Sequence, residues 1–132
     1  MWACEKCGRS FGKRRAHFCR PPLTVEGYFA GRPPELRAIF DAVTKHVHKL
    51  KGAHIEPVDV GILFKRDRTF AELRPRRAGF ALSLVMRRPL NDARVTRTIT
   101  MSGDQLCHVL VLSGPKDVDA QVRDWLTEAF AS

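Results

Sequence analysis

Apolar and polar positions follow two different periods along this chain, and the switch between them divides it into elements. Leu36, Ile39, Phe40, Val43, Val47 and Leu50 recur at steps of three and four residues, the spacing that gathers side chains on one face of an α-helix. Pro33 and Pro34 suit the first turn of such a helix, and Gly52 stops the pattern. Just before it, residues 24–30 predict one or two helical turns ended by Gly31. From residue 53 to 113 the period shortens to β-rich runs at 54–58, 61–66, 69–74, 80–86, 95–101 and 106–112. Arg66-Asp67-Arg68 reads as a hairpin turn, residues 75–79 as a loop, and Ser102-Gly103-Asp104 as another turn. Consecutive hairpins predict an antiparallel sheet. Beyond Ser113-Gly114-Pro115 the helical period returns with Val118, Val122, Trp125, Leu126, Ala129 and Phe130, with Asp117 as the expected N-cap. The expected fold class is therefore α+β, an antiparallel sheet packed on one face by an N-terminal and a C-terminal helix.

Composition changes this picture little. At 132 residues and 44% apolar the chain suffices for one domain with a core. No apolar run approaches the roughly 18 residues of a membrane-spanning helix, and the first twenty residues are basic and Cys-bearing where a secretion signal would be apolar. A cytoplasmic protein without membrane contact is expected.

The amino end adds a metal site. Cys4-x-x-Cys7 is followed after nine residues by His17-x-Cys19. Two thiols separated by two residues form a knuckle that presents both sulfurs to one ion, and Gly8 eases the turn. The second pair completes a Cys3His shell suited to zinc in a closed, structural site. On a helix, residues two apart diverge by about 200°, so His17 and Cys19 predict a turn or extended segment and not the recognition helix of a two-Cys two-His finger. Lys6, Arg9, Lys13, Arg14 and Arg15 favour thiolate formation around the ion. Residues 1–22 are expected to form this zinc module and residues 23–132 the α+β body.

Charge is concentrated. The formal net charge is +9, and residues 65–97 alone carry ten basic against three acidic groups. Lys65, Arg66, Arg68, Arg74, Arg76, Arg77, Arg87, Arg88, Arg94 and Arg97 lie on or between hairpins. Gathered on one rim they would contact phosphates bidentately and bind DNA or RNA with steep salt dependence. With aromatics at 8%, base stacking is weakly signalled.

The residues Trp2-x-Cys4-x-x-Cys7-Gly8-Arg9-x-Phe11, His17-x-Cys19, Val25-Glu26-x-x-Phe29-Ala30-Gly31 and Trp125-Leu126-x-Glu128-Ala129 give the chain a resemblance, from end to end, to a short bacterial type of the family catalogued as domain of unknown function 5655. The family has no established activity. Its resemblance to units fused to nuclease-like and restriction-system modules implies nucleic-acid business by analogy. Where the family often carries a lysine after a proline like Pro57, this chain has Asp59.

Catalysis finds little support. Cys107 and His108 are neighbours, so a strand sends them to opposite faces, and His46 and His48 share no helix face. Glu56, Asp59 and Glu72 have no fixed mutual distance, and no phosphate-cradling glycine loop is present. The expected function is a non-enzymatic, zinc-binding protein that engages nucleic acid through Lys13, Arg14, Arg15, Arg66, Arg68, Arg74, Arg76, Arg77, Arg87 and Arg88. The alternative is a small-ligand or protein-binding adaptor using the open sheet face near His54, Asp59, Ser83 and His108, which predicts a concave pocket on the sheet.

Overall fold

The structure is a computed structural model, and it describes residues 2–5, 10–14 and 23–132. Among the described residues three helices form where the periods predict, with shifted ends, and six strands match the six β-rich runs; two further short strands near the amino end were not expected from them. Thr24 caps α1 (Val25–Phe29), its Oγ1 accepting from the Gly27 N–H at 2.9 Å. Helix α2 (Pro34–Val47) buries Leu36, Ile39, Phe40, Val43, Thr44 and Val47. It stops before Leu50, whose N–H donates to Val47 O in a closing turn.

Strands β3 (His54–Val58), β4 (Gly61–Lys65), β5 (Thr69–Arg76), β6 (Gly79–Met86), β7 (Val95–Thr100) and β8 (Leu106–Leu112) make one antiparallel sheet in the order β3-β4-β5-β6-β8-β7. Pro57 sits in edge strand β3, where its missing N–H leaves no ladder bond unmade. The exchange of β7 and β8 departs from the consecutive hairpins expected. Both β6 and β7 are antiparallel to β8 and so parallel to each other, and residues 87–94 must carry the chain back between them. That crossover lies on the helix side. Leu90 enters the core, and the fully buried His108 pins the segment, donating from Nε2 to Arg88 O at 2.9 Å while Nδ1 accepts from Thr98 Oγ1 at 3.3 Å.

Because strand side chains alternate, the sheet has two unlike faces. Ile62, Phe64, Leu73, Phe80, Leu82, Leu84, Leu110 and Leu112 point into one core with α2 and with Val122, Leu126 and Ala129 of α3 (Ala120–Ala131). The opposite face carries no helix among the described residues. At its β3–β4 end sits a small antiparallel pair, β1 (Trp2–Ala3) and β2 (Ser10–Phe11). The Ser10 N–H donates to Glu56 Oε1 at 3.3 Å, and Lys65 Nζ donates to Ser10 O at 2.8 Å. Gly12 follows, so close that a Cβ there would fall 2.0 Å from Asp67 O; only glycine lets the two backbones approach.

The cap of α3 corrects one expectation. Asp117 belongs to a 3-10 turn, Pro115–Asp117, and accepts from the Ser113 N–H at 2.7 Å. Asp119 is the N-cap instead: its Oδ1 accepts from Val122 N–H at 3.0 Å, three residues on, and its Oδ2 from Arg94 Nη1 at 2.9 Å. The Val122 N–H, and then the Arg94 guanidinium, hold this carboxyl below the usual carboxylate range. Its stabilisation is thus complete above the ordinary Asp pKa of about 3.9 and is lost as pH falls through the lower native value. Asp119→Ala is expected to lose about 1 kcal/mol. Asp119→Asn keeps the cap, and its deficit against wild type should close in urea titrations run below about pH 4; a deficit that ignores pH contradicts the assignment.

Candidate functional site

Of the zinc ligands expected from sequence, Cys7, His17 and Cys19 lie outside the described residues, as does Arg15. Cys4 directly follows β1 and is buried. Among the described residues no three His, Cys, Asp or Glu side chains gather; Glu56 and Glu72 flank Leu63 two strands apart, about 10 Å.

The fold distributes the arginines over three places and does not bring them to one rim. Arg66 and Arg68, from the β4–β5 turn, cap the end of α3. Arg66 lies 4.7 Å above the Phe130 ring and donates to Phe130 O, and Arg68 donates to Ser132 O at 3.1 Å. Cations there complement the negative end of the helix dipole. Arg87 is close enough to Arg68 to lower its pKa, burial being the larger cause. Arg88 and Arg94 turn to the helix layer. Arg88 grips Glu128 with Nε at 2.7 Å and Nη2 at 2.8 Å, and Arg94 bridges Asp92 and Asp119 beneath Trp125. Arg74, Arg76 and Arg97 stand on the open face by register, Arg74 paired with Glu72. Arg77 is exposed in the β5–β6 turn, and Lys13 and Arg14 are exposed beside the amino-terminal strands.

Lys65, grouped with the arginines in the sequence, is no surface cation. Its side chain is 6% exposed and its Nζ lies 2.8 Å from Oε2 of Glu56, itself 9% exposed.

The open face holds a trough of about 520 Å³. Ala81, Ser83, Val85, Cys107 and Val109, from the central strands β6 and β8, make its floor. Leu63, Glu72, Arg74 and Arg76 form one bank, and Ile99 and Met101 the other. The depression has a simple origin. On β6 the inward positions are Phe80, Leu82, Leu84 and Met86, whereas the outward ones at Ala81 and Ser83 are short, and longer side chains on β5 and β7 rise around them. Among the described residues no aromatic ring lines the trough. Three of the exposed large apolar residues, Ile99, Met101 and Val111, stand on this face. Cys107 lies near the centre, and burial, reinforced by the Glu72 carboxylate, pushes its thiol up against the opposing pull of Ser83 and Arg97. It is accordingly a weakly reactive, neutral floor residue at pH 7.

Of the open-face residues named from sequence, Ser83 lines this trough. His54 sits on edge strand β3, and Asp59 in the β3–β4 turn. His108 is a correction: the alternation that sends Cys107 outward sends His108 inward, onto the crossover. The signal for the trough is present in the large-small alternation of Phe80-Ala81-Leu82-Ser83, but which outward positions stay uncovered depends on where the amino-terminal strands settle.

A family model described as a domain of unknown function (DUF5655) matches residues 25–132. No curated protein and no solved structure matches the chain.

Proposed function

The chain belongs to the DUF5655 family through residues 25–132, and from its own geometry we propose a non-enzymatic binding domain whose working surface is the open face of the sheet. The trough carries this reading: an apolar floor with guanidinium groups on its border suits a ligand with an apolar body and anionic edges. Zinc on Cys4, Cys7, His17 and Cys19 would order residues 1–22 beside it, in a protein of the reducing cytoplasm. The buried Cys4 thiol next to β1 fits such a ligand set. Cys7→Ser and Cys19→Ser are expected to abolish zinc retained through dialysis while leaving the circular dichroism of the body unchanged; full metal content in both variants refutes the ligand set.

The trough is tested with anilinonaphthalene sulfonate, an apolar anion whose fluorescence reports desolvation. Wild type should enhance it and shield Cys107 from iodoacetamide, and Val109→Glu, which places a carboxylate on the floor, should lose both effects. Equal enhancement by the two proteins removes the reading.

Nucleic acid is the second reading, favoured by the basic excess of residues 65–97 and by Arg76, Arg77, Arg87 and Arg97, which form no ion pair among the described residues. It predicts binding to duplex or single-stranded DNA with a salt slope of several counterions. Absence of binding at low salt eliminates it.

A further inference from the structure

We infer that the occupant of the trough is an amphipathic α-helix of a protein partner, apolar on the face it buries and acidic along its flanks. The inference rests on the open-face reading above and is carried by the dimensions and charge of the trough.

The floor is two strands wide, β6 and β8, and the side chains that bound it rise from β5 and β7. Three interstrand spacings separate those banks, about 14 Å. An α-helix with its side chains is about 10–12 Å across. Along β6 the floor runs from Ala81 to Val85, about 14 Å at the rise of a strand, which accommodates about two and a half turns of helix.

Other occupants fit less well. The trough lies along the surface of the sheet, whereas small-ligand sites enclose most of their ligand; a helix needs only one face covered and keeps its polar face in solvent. An added β-strand would seek backbone groups at a sheet edge, and the trough presents side chains from the middle of the sheet. Bases would seek aromatic platforms, and among the described residues none lines the site.

The same sheet packs two helices, α2 and α3, against its other face, and an antiparallel sheet leaves its second face in water when that face is polar. Ile99, Met101 and Val111, each 38–43% exposed, are the part of this face left uncovered.

Charge complementarity fixes the sign of the flanks. Arg74 is matched by Glu72 within its own bank, whereas Arg76 and Arg97 are exposed on opposite sides of the floor and make no ion pair among the described residues. A helix with glutamates beside its apolar stripe meets a guanidinium on either side; one with lysines meets like charge.

The test uses the full, reduced, zinc-loaded chain and two fluorescein-labelled 16-residue peptides. Both carry a leucine stripe, flanked by glutamate in one and by lysine in the other. Anisotropy should show the acidic peptide binding at least tenfold more tightly, with Cys107 alkylation slowed in the complex. Val109→Glu should weaken it at least tenfold. Arg76→Glu with Arg97→Glu, two exposed changes that leave the core untouched, should invert the preference. Arg88→Gln, on the other side of the sheet, should change nothing. Equal affinity for the two peptides, or indifference to the charge reversal, overturns the inference. So does protection of Cys107 by an oligothymidylate in place of the peptide. If anilinonaphthalene sulfonate occupies the trough and neither peptide does, the helix is refuted and the open face stands; if none of them enters, both fall.

Discussion

Lys65→Ala is expected to destabilise the protein by about 3–5 kcal/mol, lowering Tm by about 10–20 °C. The change removes an ammonium that is almost fully out of water and faces a carboxylate equally withdrawn, 2.8 Å away. Glu56 keeps the Ser10 N–H at 3.3 Å, yet a carboxylate largely withdrawn from water loses a charged partner 2.8 Å away, which costs more than the loss of an exposed one. A second loss accompanies the first, because Lys65 Nζ also holds Ser10 O and so fastens β2 to the sheet. Two consequences can be separated. Urea midpoints should fall for Lys65→Ala, and the amides of residues 2–5 and 10–14 should exchange faster even where the body remains folded. The double variant Glu56→Leu with Lys65→Met replaces the pair by apolar groups of similar size. It should recover most of the global stability, while the fast exchange of the amino-terminal strands persists. A Lys65→Ala protein within about 1 kcal/mol of wild type would show that water screens the pair, as it does at exposed sites.

Periodicity made the elements of this fold legible and left their arrangement hidden. The stripe from Leu36 to Val47 requires one buried face and finds it, and β6 is buried at every position but Ser83. The order of β7 and β8 could not be read, since nothing local to residues 87–94 distinguishes a hairpin from a crossover. What decides is Leu90 reaching the core and the Arg88 carbonyl meeting the buried imidazole of His108, 20 residues further along the chain on β8. Lys65 groups with its arginine neighbours in the sequence for the same reason: a lysine is a surface cation by default, and its burial is made tolerable by Glu56 on the adjacent strand and Ser10 from the amino end. The basic band dispersed because helix termini and helix carboxylates compete for guanidinium groups. Arg66 and Arg68 went to the end of α3, Arg88 and Arg94 to Glu128 and Asp119. What remained on the open face was a sparse positive border around an apolar floor, which a charge count along the chain does not reveal.

Gly79→Val should cost about 2–6 kcal/mol, combining a disfavoured backbone angle with an overpacked contact. Gly79 closes the β5–β6 turn opposite Arg76 with φ +132°, and a Cβ there would stand 2.0 Å from the Leu112 carbonyl oxygen and 3.0 Å from Ser113 Cα. The obstacle is backbone of the last β8 residue, which cannot rotate aside as a side chain would. Relief requires β6 and β8 to part at this end. Gly52 supplies the control, since it has φ +93° with nothing within 4 Å of the added carbon. Gly52→Ala should therefore lose about 1 kcal/mol from the backbone angle alone, and Gly79→Ala clearly more. Equal losses in urea titrations would mean that the close approach of β6 to β8 relaxes freely. The two strands are also the floor of the trough, with Ala81 beside Val111 and Ser83 beside Val109. Parting them at Gly79 widens the floor at its Arg76 end. A Gly79→Ala protein that still folds is therefore expected to bind anilinonaphthalene sulfonate more weakly, whereas Gly52→Ala, in the turn between α2 and β3, binds it as wild type does.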